Sequence, residues 1–177
     1  RVGDESIVVT FDLRRGNDLP MVIRLMLCLS LLPPVASADE RIKELNTYWA
    51  EVSRAVKAGD FEGYKATCHP DGVLISGKKK TSYLLAKALE IWKPGIDATK
   101  AGKVKAAVDF RFSKRWGDPK TAHEIGMFRY QHVDEKGVAK TEYIHLEALL
   151  VKRGRWLILM ENQKSSGTKE EWESLKK

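Results

Sequence analysis

The sequence has few of the residue patterns that hold metals or cofactors. It contains only two cysteines, Cys28 and Cys68, and neither a Cys-x-x-Cys nor a His-x-His spacing that would indicate a zinc site. It also lacks a glycine-rich phosphate loop and a nucleophile elbow. We therefore predict no metal site and no bound cofactor.

The sequence also lacks an apolar run long enough to cross a membrane as a helix. The apolar stretch over residues 25–32 is short, and a small-residue cleavage pattern, Ala36-Ser37-Ala38, follows it. A buried N-terminal helix is the alternative, but Pro33-Pro34 would break it. The pattern predicts a secretory signal peptide over residues 21–38.

Cleavage there would produce an exported chain, periplasmic or secreted, that begins near Asp39 and is not membrane-bound. Residues 1–20, before Met21, are interpreted as a non-native or upstream extension. Cys68 would be the only cysteine left, which excludes an intramolecular disulfide. We expect it to behave as a buried apolar residue rather than a nucleophile.

Basic residues outnumber acidic ones, and the formal net charge is +7. The lysines are scattered, with local clusters such as Lys78-Lys79-Lys80, and no basic stripe is interleaved with aromatic residues. Nucleic acid is therefore a poor candidate for a partner.

The first part of the predicted mature chain has helical periodicity. Apolar residues recur at three- and four-residue steps up to Gly59, and Asp60 is a suitable cap for a second, short helix. His69-Pro70-Asp71-Gly72 predicts a tight turn before a short strand over residues 73–75. A third helix is predicted from about Thr81 to Trp92, where Pro94-Gly95 would stop it.

From Lys103 onward the period changes from helical to alternating, which indicates long antiparallel strands. Helices followed by strands are typical of the α+β class. We predict a single domain over residues 39–166 and a polar C-terminal tail over residues 167–177, with a possible short helix around Trp172.

The two most strand-like runs, residues 139–151 and 156–163, form a predicted hairpin. If Val151 opposes Trp156, and Val133 opposes Val138 in the preceding hairpin, the alternation of side chains assigns two faces. The mixed face would carry Tyr130, Tyr143, His145, Glu147, Met160 and Asn162. The apolar face would carry Ile144, Leu146, Leu150, Leu157 and Leu159. A slip of one residue would exchange the faces, but it would also bury Lys140, Glu142 and Lys152 against the helices.

Several short motifs resemble a known family, the nuclear transport factor 2-like superfamily, in its SnoaL-like and ketosteroid-isomerase-like branch. They are Trp49 in the first helix, Ala58-Gly59-Asp60, His69-Pro70-Asp71-Gly72-Val73, and the Gly-Arg-Trp-x-Ile pattern over residues 154–158. The resemblance implies a cone-shaped, curled antiparallel sheet wrapped around three N-terminal helices, with a cavity on its concave face. It also implies a homodimer formed through the outer face of the sheet.

The candidate site follows from the predicted faces. His145 and Glu147 would be the catalytic residues, as a general base and the group that tunes it. A buried His–Glu pair with a purely structural role is the alternative. The ligand pocket would be lined by Trp49, Trp92, Phe128, Tyr130, Tyr143, Met160 and Asn162.

Three classes of function remain open at this point. The first is an exported domain that binds a small, partly apolar molecule in the cone. The second is an isomerase, cyclase or dehydratase-type enzyme that uses His145 and Glu147. The third is a dimeric interaction module without a ligand, which a cavity filled by Trp49, Phe128 and Met160 would favour.

Overall fold

The computed structural model describes residues 38–175. The predicted extension over residues 1–20, nearly all of the predicted signal peptide and residues 176–177 lie outside the described residues. Within residues 38–175, no helix is both long enough and apolar enough to cross a bilayer.

The order of elements confirms the predicted α+β class. The helices of the described residues are α1 (Ala38–Ala58), α2 (Phe61–Lys65), α3 (Leu85–Lys100) and α4 (Lys169–Ser174). The strands are β1 (Cys68–Ser76), β2 (Thr81–Leu84), β3 (Lys105–Gly117), β4 (Thr121–Val133), β5 (Ala139–Arg153) and β6 (Arg155–Ser166).

The first two helices form as their periodicity predicts. Leu45, Trp49 and Val52 of α1 are buried along one stripe. The helix ends before Gly59, whose φ of +63° lies in the left-handed region that glycine tolerates best. The Asp60 side chain then caps α2 by accepting a hydrogen bond from the backbone N–H of Gly63 at 2.9 Å.

The third helix differs from its predicted bounds at both ends. Its predicted first turn is strand β2, which pairs with the edge of β1, as in the pair Ile75 and Ser82. The helix also continues through Pro94 to Lys100. Pro94 is exposed, so water can bond the carbonyl that the proline leaves without a helical partner.

The predicted turn at His69–Gly72 is also wrong, because these residues belong to strand β1. The pairing of β1 with β6 shifts register between Cys68 and Val73. The turn-forming residues therefore produce an irregularity within the strand instead of ending it.

The six strands form one curled sheet in the order β2-β1-β6-β5-β4-β3. Neighbouring strands are antiparallel, except that β1 and β6 are parallel. Helices α1 and α3 supply buried residues to the core on the concave side, together with Leu146 and Leu150 of β5 and Ile158 of β6. This is the predicted cone-like arrangement of a sheet around N-terminal helices.

The core includes one buried carboxylate, Glu124 on β4, which has no exposed surface. It accepts hydrogen bonds from the indole N–H of Trp49 and from the guanidinium of Arg115. Arg115 in turn donates to the Asn46 side-chain oxygen at 2.6 Å. The cluster ties α1 to strands β3 and β4 at the end of the sheet near their connecting turn.

The C-terminal helix α4 packs on the outer face of the sheet. Thr168 and Glu171 form a capping box at its start, and Trp172 is only 3% exposed. The guanidinium carbons of Arg111 and Arg129 lie 4.7 and 5.6 Å from the centre of the Trp172 ring. Part of the surface that we assigned to a dimer interface is therefore covered by the chain itself.

Candidate functional site

A cavity of about 710 Å³ lies between the concave face of the sheet and the helices. Its apolar walls come from α1, α2, α3 and the sheet, and they combine aliphatic with aromatic side chains. The aromatic lining residues are Tyr48, Trp49, Tyr64, Trp92, Phe110, Phe128 and Tyr130.

The aromatic rings pack against one another along the walls and leave the interior open. The rings of Trp49 and Phe110 have centres 4.3 Å apart, and Tyr48 meets Trp49 edge-on at 5.0 Å. Tyr64 of α2 meets Trp92 of α3 edge-on at 6.0 Å, which joins the two helices beside the cavity. Such rigid walls suit a ligand with an apolar body.

A small set of polar groups interrupts the apolar lining. Glu161 and Gln163 of β6 face the cavity together with Tyr64 and Cys68. The Gln163 side-chain amide donates to one Glu161 carboxyl oxygen at 2.7 Å. Among the described residues, no hydrogen bond to the other carboxyl oxygen is present, so that oxygen can bond a ligand.

Burial controls the protonation of this polar set. It raises the pKa of Glu161, with the hydrogen bond from Gln163 acting in the opposite direction. Burial, and then the negative charge of Glu161, raises the pKa of the Cys68 thiol to about 12. The pKa of Tyr64 is raised by the same two causes, so near neutral pH the thiol and the phenol are protonated donors. A protonated thiol is a poor nucleophile.

The raised pKa of Glu161 predicts a pH-dependent effect of Glu161→Gln on stability. As pH rises above the unfolded-state pKa, the unfolded chain releases this proton before the folded chain does, and wild type loses stability. Glutamine has no such proton. The free energy of unfolding of Glu161→Gln, relative to wild type, should therefore be higher at about pH 8 than at about pH 4.

Urea unfolding at the two pH values measures this difference. Glu173→Gln, at an exposed carboxyl of α4, controls for the loss of one negative charge. If the difference in the free energy of unfolding between wild type and Glu161→Gln did not change with pH, the raised pKa of Glu161 would be contradicted.

The structure brings some of the predicted pocket residues to the cavity and sends others to the opposite face. Trp49, Trp92, Phe128 and Tyr130 line the cavity. The remaining predicted site residues lie on the outer face. Tyr143, His145 and Glu147 lie there because the predicted register of β5 was wrong. Met160 and Asn162 lie there because a register shift in β6 after Ile158 pairs them with Leu149 and Glu147.

The error arises from two turns: the β4–β5 loop is one residue longer than predicted, and the β5–β6 loop is one residue shorter. Lys152, rather than Val151, pairs with Trp156, and the turn between the strands is centred on Gly154, at a φ of +74°. Val133 pairs with Ala139 instead of Val138. In that loop, the Asp134 carboxylate accepts hydrogen bonds from two backbone N–H groups, those of Lys136 and Val138, at 2.9 Å each.

The exchange of faces reverses the prediction for the apolar residues of β5. Ile144, Leu146 and Leu150 are buried in the core on the concave side and cannot form an outer dimer interface. Leu157, which pairs with Val151, stays on the outer face.

The observed register was rejected in the sequence analysis because it would bury Lys140, Glu142 and Lys152. In the structure these charged side chains lie at the ends of β5, where they have partners of opposite charge. The Lys152 ammonium lies 2.6 Å from a Glu44 carboxyl oxygen. Glu142 lies at the mouth of the cavity, where it pairs with Lys140 at 3.0 Å. Neither end of β5 therefore buries an unpaired charge.

The predicted pair of His145 and Glu147 does not form. Glu147 instead lies 2.8 Å from the imidazole of His123, and this hydrogen bond, with the charge of Lys164, lowers the pKa of Glu147. His145 lies 3.3 Å from Glu171 of α4. Both histidines and both carboxylates are on the outer face, away from the cavity, and no group of three metal-ligating side chains occurs among residues 38–175.

Neither a family model nor a curated protein matches the sequence, but solved structures do. A ketosteroid isomerase-like protein from Erwinia carotovora atroseptica superposes with a TM-score of 0.52 at 14% identity, over 70% of this chain and 95% of that one. A nuclear transport factor 2-like protein of unknown function from Shewanella oneidensis gives a TM-score of 0.53 at 15% identity, over 68% and 96%. The chain has a nuclear transport factor 2-like fold.

A further protein with this fold is ActVI-ORFA from Streptomyces coelicolor. It gives a TM-score of 0.54 at 14% identity, over 68% of this chain and 93% of that one. Identities this low establish the nuclear transport factor 2-like fold and leave the function to be argued from the cavity.

Glu161 is the residue that sequence reasoning missed. It is the only charged side chain in the predicted strand over residues 156–163, which is a detectable signal for a polar group among apolar neighbours. Tyr64 of α2 and Cys68 of β1 are distant from Glu161 along the chain, and no sequence pattern related them to the last strand.

Proposed function

We propose that this protein binds a small, partly apolar molecule in the cavity. The observation that carries the proposal is the cavity itself, whose volume of about 710 Å³ is typical of small-molecule sites. Aromatic walls would enclose the apolar part of the ligand, and Glu161, Gln163 and Tyr64 would hydrogen-bond its polar part.

The interior supports ligand binding over a ligand-free interaction module. A cavity filled by Trp49, Phe128 and Met160 would have favoured the module. Instead, Trp49 and Phe128 form walls around open space, and Met160 is on the other face of the sheet. An acid–base reaction, if the ligand is a substrate, would depend on Glu161, because His145 and Glu147 do not reach the cavity.

Filling the cavity tests the proposal. Ala106 lines the cavity from β3, so Ala106→Trp should place an indole in the space that the ligand needs. We expect the affinity for the neutral apolar probe N-phenyl-1-naphthylamine, measured by its fluorescence, to fall at least about tenfold.

The matched control is Ala107→Trp. Residue 107 is next in the same strand and points to the opposite face, so the same indole should leave probe binding unchanged. If wild type does not bind the probe, or if the two variants bind it equally well, the cavity is not the binding site.

Two earlier expectations remain predictions. We propose that the protein is exported, on the signal-peptide pattern before Asp39. We also propose a homodimer through the part of the outer face that α4 leaves open, which includes the exposed Trp116.

A further inference from the structure

Two lysines stand at the mouth of the cavity, on the turn between β1 and β2. Lys78 and Lys79 both line the cavity and are otherwise exposed to solvent. The backbone N–H of Gly77 donates to the Gln163 carbonyl at 2.8 Å, which anchors the turn to β6. A Cβ atom at Gly77 would lie only 1.9 Å from the Lys164 carbonyl oxygen, so the turn is packed tightly against that strand. The two ammonium groups are therefore carried by a fixed backbone.

These two lysines lack the acidic partners that three other lysines of the sheet have. Lys140, Lys152 and Lys164 each lie within 4.0 Å of a carboxylate. Among the described residues, no ion pair involves Lys78 or Lys79. Their charge is therefore available to a ligand that enters the cavity.

The carboxyl groups that face the cavity do not cancel this positive charge. Glu142 at the mouth is already paired with Lys140. Deeper in the cavity, burial raises the pKa of Glu161 and so favours its neutral form. A negatively charged ligand group would thus meet, at the mouth, two lysines that have no acidic partner among the described residues.

We propose that the ligand is an amphipathic anion, with its apolar body between the aromatic walls and one carboxylate- or sulfonate-like group at Lys78 and Lys79. This inference rests on the proposed function and adds a ligand class to it. The aromatic lining would favour ligands with an apolar body, and the two lysines would favour those with a negatively charged group at the outer end.

Two probes with the same ring system distinguish binding of the apolar body from binding of the anionic group. N-phenyl-1-naphthylamine is neutral, and 8-anilinonaphthalene-1-sulfonate adds one sulfonate to the same ring system. In Lys78→Gln/Lys79→Gln we expect the affinity for the sulfonate probe to fall about fivefold, as for the loss of two exposed ionic contacts. The affinity for the neutral probe should not change.

The control is Lys164→Gln/Lys169→Gln, which removes the same charge from β6 and α4, where these lysines pair with Glu147 and Glu173. It should leave the affinity for both probes unchanged. Ala106→Trp should lower the affinity for both probes, which would show that both bind in the cavity. Added salt should weaken only the sulfonate probe.

The outcomes are distinguishable. If both probes bind wild type but the mouth variant keeps its affinity for the sulfonate, the anion site is wrong and the proposed function stands. If the mouth variant weakens both probes equally, the lysines act on the shape of the mouth, and the anion site is again wrong. If neither probe binds wild type, both proposals fail.

Discussion

Replacing Glu124 with alanine should lower the free energy of unfolding by about 3–5 kcal/mol, because it leaves a largely buried charge without its partner. Glu124 has no exposed surface, and the side chain of Arg115 is only 18% exposed. Removing the carboxylate also leaves the buried indole N–H of Trp49 without its acceptor.

Urea unfolding of matched variants measures this effect. Asp109→Ala is the control, since Asp109 on β3 pairs with Arg129 on β4 at 2.6 Å, but with side chains 49% and 34% exposed. We expect this control to lower the free energy of unfolding by less than about 1 kcal/mol. Glu124→Gln keeps an acceptor for Trp49 and should fall between the two. If Glu124→Ala and Asp109→Ala lowered the free energy of unfolding equally, burial would not be what makes the Glu124 interactions strong.

The second large effect is expected at Gly59, where α1 ends against α3. Gly59→Ala should cost about 3 kcal/mol, since it forces a side chain into the left-handed region and against backbone atoms. A Cβ atom there would lie 2.2 Å from the Lys100 nitrogen and 2.7 Å from the Ile96 carbonyl oxygen. Relief would require the ends of the two helices to separate.

Gly95→Ala is the matched control, because Gly95 lies within α3, the helix that Gly59 contacts, and a Cβ atom there would meet no atom within 4 Å. Alanine is a better helix former than glycine, so the free energy of unfolding of this variant should be about 0.5–1 kcal/mol higher than that of wild type. Thermal unfolding of both variants tests the contrast. If both glycines respond to alanine alike, the close approach of the two helices is not what Gly59 provides.

The elements themselves could be predicted where one residue pattern dominates over a long stretch. Helix α1 and the long strands β3 to β6 lie close to their predicted bounds, because the apolar period over many residues decides whether a segment is a helix or a strand. The short segments were predicted less well. Residues 81–84 form strand β2 because they pair with β1, and α3 passes through Pro94.

The positions of the candidate site residues were predicted in part, and the errors come from strand register. Trp49 and Trp92 were placed correctly at the cavity, because a helix stripe depends only on local spacing. Tyr143, His145 and Glu147 were placed on the wrong face, because their side depends on two loop lengths. One residue more in the β4–β5 loop and one fewer in the β5–β6 loop reverse every assignment on β5.

The sequence by itself determined the α+β class, the apolar stripe of α1 and the alternation along the strands, since each follows from local periodicity. Only the tertiary structure decided which face of β5 lines the cavity, through pairing with strands on both sides. It also decided that Glu161, Tyr64 and the lysines of the β1–β2 turn meet at one cavity. Residues 64, 78 and 161 are distant along the chain, and no local pattern encodes contacts that form only when the sheet curls around the helices.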